Sequence, residues 1–177
     1  MTLVMLDSSC SGYNEAERAG SALIFPLASI LMNVAADIMS GVVITITPDS
    51  SIGDAIALMR EGGFRRLPVI EDGRLVGIVT DRDLRQATNS PLVLRERWYS
   101  DFLLEAIKVK SCMTADPITI APDTPVLDAA RLLRQHKIGG LPVVQDGAVV
   151  GIITTTDILD YLIVLLEREQ GEEAAES

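Results

Sequence analysis

Apolar residues along this chain follow two alternating rhythms. Short β-branched runs give way to stretches in which apolar positions recur every three or four residues. Val42-Val43-Ile44-Thr45-Ile46 reads as a strand. After Pro48-Asp49-Ser50-Ser51, a helix start, Ile52, Ala55, Ile56 and Met59 line one helical face. Asp54 falls in the first turn, where a carboxylate suits the helix dipole. Gly62-Gly63 stops that helix. Two β-branched runs, 67–70 and 75–79, flank Asp72-Gly73, a strong hairpin signal. Thr80 and Asp83 then form a T-x-x-D helix start. The predicted order is strand, helix, strand, strand, helix.

The whole pattern is written twice. Residues 37–84 align without a gap on residues 111–158, and 20 of the 48 positions are identical. In the second copy Thr124 is expected to cap the helix with Pro125 at its first position, and the helix is expected to end near Gly139-Gly140. A unit of about 50 residues buries too little surface to be stable alone, so the copies are expected to pack on each other. Around them the chain divides into an N-terminal extension (1–36), a linker (85–110) and a C-terminal helix that prolongs the second copy to 166. A disordered acidic tail (167–177) is expected to follow. The extension has a loose start and then an apolar helix from residue 21, broken or begun near Pro26. Leu94, Trp98, Phe102 and Ala106 give the linker an amphipathic helix.

Charge and composition narrow the class. Aromatic residues make up 4% of the chain, which does not suit a base-stacking nucleic-acid surface. The net charge of −10 sits mostly from Asp157 onward and argues against a grip on nucleic acid or an anionic membrane. The apolar run 22–32 is short of the ~20 residues that span a bilayer. Only Arg18 among Asp7, Glu15 and Glu17 precedes it, so a signal peptide is not expected. Cys10 and Cys112 have no metal-ligand spacing and fit a reducing cytoplasm. No nucleophile elbow, zincin helix, Walker A loop or dinucleotide fingerprint is present, and one His leaves little for acid–base work. An enzyme is not expected.

The doubled motif M-x-x-x-x-h-T-h-x-P-D, then a helix, then L-P-V-h-x-D-G-x-h-V-G-h-h-T-x-x-D (h, apolar) resembles the CBS domain, named for cystathionine β-synthase. Two in tandem resemble a Bateman module. The linker, with its Arg-Trp-Tyr, resembles stand-alone CBS-pair proteins of the acetoin-utilisation type. The resemblance implies an α/β fold of the α+β kind. Two β-α-β-β-α repeats are related by a pseudo-two-fold axis, with sheets packed face to face and helices outside. It also implies two clefts between the copies that take adenosine compounds: AMP, ADP or ATP, less readily S-adenosylmethionine or NAD. Such a module regulates a separate protein and has no catalysis of its own.

Residue by residue, the resemblance places base-slot walls at Ile44-Thr45-Ile46 and Leu67-Pro68-Val69 in the first copy. In the second they fall at Ile118-Thr119-Ile120 and Leu141-Pro142-Val143. Asp83 and Asp157 match a ribose-binding carboxylate, and Thr80 and Thr154 a hydroxyl that touches phosphate or sugar. Arg65, Arg66 and Arg82 make the first copy the better phosphate site, since Arg forks suit phosphate. The second copy has Gly139-Gly140 and Thr155-Thr156 at those positions, with His136 and Lys137 as further charge. Each feature has a plain alternative. The T-x-x-D motifs are also helix caps, the arginines can be solvated or paired with Glu61, Glu71 and Asp81, and His136 suits a helix C-terminus. Asp81 and Asp83 could hold Mg²⁺ alongside a nucleotide. The expected function is a cytoplasmic sensor of adenine nucleotides. It would act as a homodimer through the helices 52–61 and 126–135 and those opening at Thr80 and Thr154. The alternative is a dimerisation scaffold without a physiological ligand.

Overall fold

The computed structural model describes residues 33–88 and 104–175. The first hairpin is β1 (Arg66–Glu71) and β2 (Arg74–Thr80), antiparallel, with Leu67 opposite Val79. Asp72 and Gly73 turn it, both at positive φ (48° and 77°), as a two-residue hairpin turn requires. Helix α2 (Ile52–Gly62) precedes the hairpin and α3 (Asp81–Thr88) follows it. The second copy repeats this as α4 (Val126–His136), β4 (Gly140–Gln145), β5 (Ala148–Thr154) and α5 (Thr155–Ala175). A short helix α1 (Ala35–Ile38), a 3-10 turn (Val109–Ser111) and a two-residue strand β3 (Thr114–Ala115) are also present. The fold is therefore the expected α+β repeat pair.

Helix ends follow local chemistry. Ser51 and Asp54 form a reciprocal capping box at α2: the Asp54 amide donates to Ser51 Oγ (3.0 Å), and the Ser51 amide donates to Asp54 Oδ2 (3.2 Å). Gly63 closes α2 in the left-handed region, φ 68°. Helix α4 departs from expectation at both ends. Its N-cap is Pro125, which aligns with Ser51 but has no side-chain oxygen, and Thr124 Oγ1 accepts the Ala121 amide instead. Its C-cap is Lys137 (φ 54°), two residues before Gly139, because Lys137 itself adopts the left-handed conformation. Helix α5 also runs to Ala175, past residue 167 where a disordered tail is expected. Glu, Arg, Gln and Ala are strong helix formers, and extending an established helix costs little.

The predicted strand 42–46 is reduced to one parallel bridge, Ile46 to Val69. The Ile46 amide donates to the Pro68 carbonyl (3.1 Å), and Ile46 O accepts from the Ile70 amide (2.8 Å). The rest of this segment is in transit between the copies. Ser40 pairs with Ile152 of the second sheet through two backbone bonds (3.0 and 3.1 Å), and six residues later the chain joins the first sheet. The second copy does the converse: β3 pairs with β2, with Gly77 opposite Ala115 and Ile78 opposite Thr114, before Ile120 joins β4.

The two cores are consequently built from exchanged segments. Ile46, Ile52, Ala55, Met59, Leu67, Val69, Val79 and Leu84 of the first copy enclose Val109, with Met113 packed beside them. The other core joins Ile120, Ala129, Leu133, Leu141, Val143 and Ile153 to Ala35, with Met39 alongside. Met113 crosses over Gly77 and Met39 crosses over Gly151. A Cβ on either glycine would lie well inside van der Waals contact with the methionine sulfur. The apolar helix expected before residue 33, and Trp98 and Phe102 of the linker, lie outside the described residues.

Candidate functional site

Each T-x-x-D motif folds on itself at the junction of a strand and a helix. Thr154 Oγ1 donates to Asp157 Oδ2 (2.7 Å), the Thr154 amide donates to the same oxygen (2.6 Å), and the Asp157 amide donates to Thr154 Oγ1 (3.4 Å). Thr80 and Asp83 repeat this at 2.6, 2.9 and 3.3 Å. The cap reading is thus realised in both copies. It uses a single carboxylate oxygen each time. Among the described residues, Oδ1 of Asp83 and of Asp157 takes no hydrogen bond, so each half-buried carboxylate retains an acceptor.

Asp157 lines a cavity of about 550 Å³ between the copies, large enough for a nucleotide-sized ligand. Thr154, Thr155 and Thr156 border it beside Asp157. The opposite wall comes from the first copy: Val42, Val43 and Ile44 from the crossing segment, Phe64, and Pro68 of β1. Val42 is 81% exposed and Phe64 39%, so large apolar side chains stand open at the cavity. Arg65 and Arg66 also line it. The Arg66 side chain reaches across and lies over Gly139 and Gly140. Burial and the neighbouring Arg65 charge lower the Arg66 pKa, and the Asp157 carboxylate opposes them. The guanidinium thus lies within electrostatic reach of the second copy's carboxylate.

This regroups the predicted residues. The sequence groups Arg65 and Arg66 with Thr80, Arg82 and Asp83 in one site. Backbone pairing does set Arg66 opposite Thr80, but its side chain leaves that copy and joins the Asp157 cavity. Ile44 and Pro68 line the cavity with Thr154 and Asp157. Ile46, Leu67 and Val69 do not line it. Strand alternation turns Leu67 and Val69 into the core, where both are fully buried, and Ile46 joins them. Leu141, Val143 and Ile120 are core in the same way. Thr45, Thr80, Arg82 and Asp83 lie outside this cavity, as do Ile118, Thr119 and Pro142. Gly140 is buried beneath Arg66. His136 and Lys137 are exposed at the end of α4 and do not reach the cavity.

Ser40, Val42, Val43 and Phe64 line the cavity from positions that carry no mark in the motif, and Ile152 lines it from an apolar motif position that the sequence does not assign to the site. The alternation of Val42 and Ile44 on one strand face, and an aromatic next to Arg65, were the available signals. Asp81 was a candidate Mg²⁺ ligand with Asp83, but its carboxylate is held by Arg85 of the same helix. Among the described residues no group of three potential ligands could hold a metal ion.

The chain matches the family model described as CBS domain over residues 34–90 and again over 109–164. A CBS domain-containing protein of Dictyostelium discoideum is 41% identical over 132 residues, covering 73% of this chain and 91% of that protein. Inosine-5'-monophosphate dehydrogenase of Korarchaeum cryptofilum is 39% identical over 117 residues, but the match covers 66% of this chain and only 21% of that enzyme. Among solved structures, an AcuB protein of Vibrio cholerae assigned to acetoin utilization superposes with a TM-score of 0.67. It is 32% identical, over 80% of this chain and 98% of that one. CBSX2 in complex with AMP superposes at 0.62 with 32% identity, over 75% and 97% of the two chains.

Proposed function

The chain belongs to the CBS domain family, as a tandem pair, and on that premise we propose that it is a non-catalytic regulatory module for an adenosine nucleotide. The ligand enters between the copies, and occupancy is passed to a separate protein. AMP is the first candidate, with ADP and ATP next and S-adenosylmethionine or NAD behind them. One observation carries this reading: a cavity of about 550 Å³ with apolar walls, two guanidinium groups and a carboxylate that keeps one free oxygen. Apolar walls suit a purine, a carboxylate oxygen suits ribose hydroxyls, and Arg forks suit phosphate. The AMP complex of CBSX2, a pair with the same fold, supports the choice of ligand.

The test is calorimetric titration with AMP, ADP and ATP, paired with thermal melting. Ligand at a hundred times its Kd adds about 2.7 kcal/mol of stability. Asp157→Asn, which removes the ribose acceptor's charge, is expected to abolish that gain while the unliganded protein stays folded. If adenine nucleotides at millimolar concentration leave the melting temperature unmoved and release no heat, the proposal is overturned.

A scaffold role is the second reading, and one observation favours it. Leu127 on α4 and Leu159, Leu162, Ile163 and Leu166 on α5 are each about half exposed. Two modules stacked through these helices would cover them, giving the homodimer expected from the repeat. Light scattering that shows a monomer would remove both the dimer and the scaffold. No described helix is long and apolar enough to cross a membrane. A reducing cytoplasmic location belongs to the same proposal, with Cys112 a free, half-buried thiol.

A further inference from the structure

The pseudo-two-fold relation pairs every residue of the Asp157 cavity with a residue of the other copy. The backbone bears this out in detail: Ser40 to Ile152 corresponds to Thr114 to Ile78, Val34 to Pro125 corresponds to Lys108 to Ser51, and Ile46 to Val69 corresponds to Ile120 to Val143. Applied to the side chains, the same relation gives two unlike clefts. Arg65 and Arg66 correspond to Gly139 and Gly140. Val42 corresponds to Asp116, and Thr155 to Asp81. The Asp83 cleft therefore has no counterpart of Arg66, while Arg65 takes the place that Gly139 holds in the Asp157 cavity. It gains the carboxylates of Asp116 and Asp81, the latter held by Arg85, and its cations, Arg65, Arg82 and Lys137, are all exposed.

Sterics make the difference exclusive. Residues 66 and 140 are equivalent positions that meet between the copies. A Cβ on Gly140 would stand 2.7 Å from Arg66 Nη1 and 2.8 Å from its Cδ. A Cβ on Gly139 would also fall inside contact distance of the same guanidinium. Only one of the two equivalent positions can carry a large side chain. The half-buried Arg66 takes that place and commits its charge to the Asp157 side.

We infer that the chain has one phosphate-selective cleft, the one containing Asp157, and that the side chain at the 66/140 position decides which cleft it is. The inference rests on the nucleotide reading above and specifies it: one phosphorylated nucleotide per chain, with Arg66 selecting the phosphate. The Asp83 cleft lacks the half-buried guanidinium, and its exposed cations, screened by water, hold phosphate less tightly.

Calorimetry tests this on the full chain. Wild-type protein is expected to bind one AMP per chain. Arg66→Ala should weaken AMP about tenfold or more, as loss of a charge-assisted contact does, while adenosine, which has no phosphate, changes by less than about twofold on the same reasoning. In the exchange variant Arg66→Gly/Gly140→Arg, AMP binding should become dependent on Asp83 and independent of Asp157. Two equal AMP sites per chain in the wild type would overturn the inference. So would equal losses for AMP and adenosine in Arg66→Ala. If the exchange variant fails to fold, the wild-type stoichiometry and the AMP-to-adenosine ratio decide alone. No binding of AMP or adenosine by the wild type would instead overturn the nucleotide reading itself.

Discussion

The first and second copies share their frame and differ in how they finish it. Twenty of 48 aligned positions are identical, and the identities concentrate where backbone meets backbone. Met39 and Met113, Gly77 and Gly151, Pro68 and Pro142, and both T-x-x-D motifs do the same work in each half. The differences lie where the copies meet and at helix ends. Arg66 faces Gly140, Ser51 caps a helix where Pro125 cannot, and Lys110 pairs with Asp49. The residue equivalent to Lys110 is Ala36. Each makes the same backbone bond to its partner proline, Pro48 or Pro122 (3.0 and 2.9 Å), yet Ala36 offers Asp123 no charge. A duplicated frame can therefore carry an asymmetric site without any change of topology.

The largest effect expected from attacking this frame is at the crossing methionines. Gly77→Ala and Gly151→Ala each force a Cβ against Met113 or Met39, an overpacking cost of about 1–3 kcal/mol. Gly77→Ala is expected to cost more. There the new Cβ also meets the Thr114 carbonyl oxygen at 3.1 Å, and backbone yields less than a thioether. Urea unfolding measures both. A double-mutant cycle of Gly151→Ala with Met39→Ala should show strong coupling, and additive losses would mean the crossing is not where the strain lies.

The caps should separate the copies by a smaller amount. Ser51→Ala removes a side-chain cap and is expected to cost about 1 kcal/mol. Thr124→Ala removes only a bond to a loop amide and should cost less. Equal losses in chemical denaturation would erase this difference between the halves.

The smallest effect concerns the exposed Asp49–Lys110 pair (2.8 Å). The hydrogen bond and charge of Lys110 lower the Asp49 pKa, and the same partner raises that of Lys110. Asp49 thus contributes stability above its unfolded pKa, and this is lost as pH falls through its lowered folded value. Lys110 contributes below its unfolded pKa, and this is lost as pH rises through its raised folded value. Melting temperatures of wild type and Lys110→Ala at low salt should differ slightly at neutral pH and converge at both extremes. A difference that persists in strong acid would point to packing by the lysine stem instead.

Much of this architecture was legible in the chain. The duplication, the hairpins with Asp-Gly turns, α2 with its Ser51 start and Gly63 stop, and both T-x-x-D helix starts can all be read from local pattern. Each depends on neighbours within a few residues, and turn geometry or capping chemistry acts at that range. Helix α4 was less legible because Pro125 and Lys137 take cap positions that propensity gives to other residues. The strand 42–46 shrinks to one bridge because its length is spent passing from one sheet to the other, which period and β-branching do not encode.

The repeat, the order of elements, the family resemblance and the kinds of side chain available for a ligand all follow from local pattern along the chain. Which of those side chains share a cavity follows only from how the two halves pack. Residues were grouped by copy because sequence measures proximity along the chain, whereas the exchanged segments and the reach of Arg66 join positions of opposite copies. The cavity is a property of the contact between the halves. It therefore pairs Arg65, Arg66 and Ile44 with Thr154 and Asp157, a set no linear motif contains.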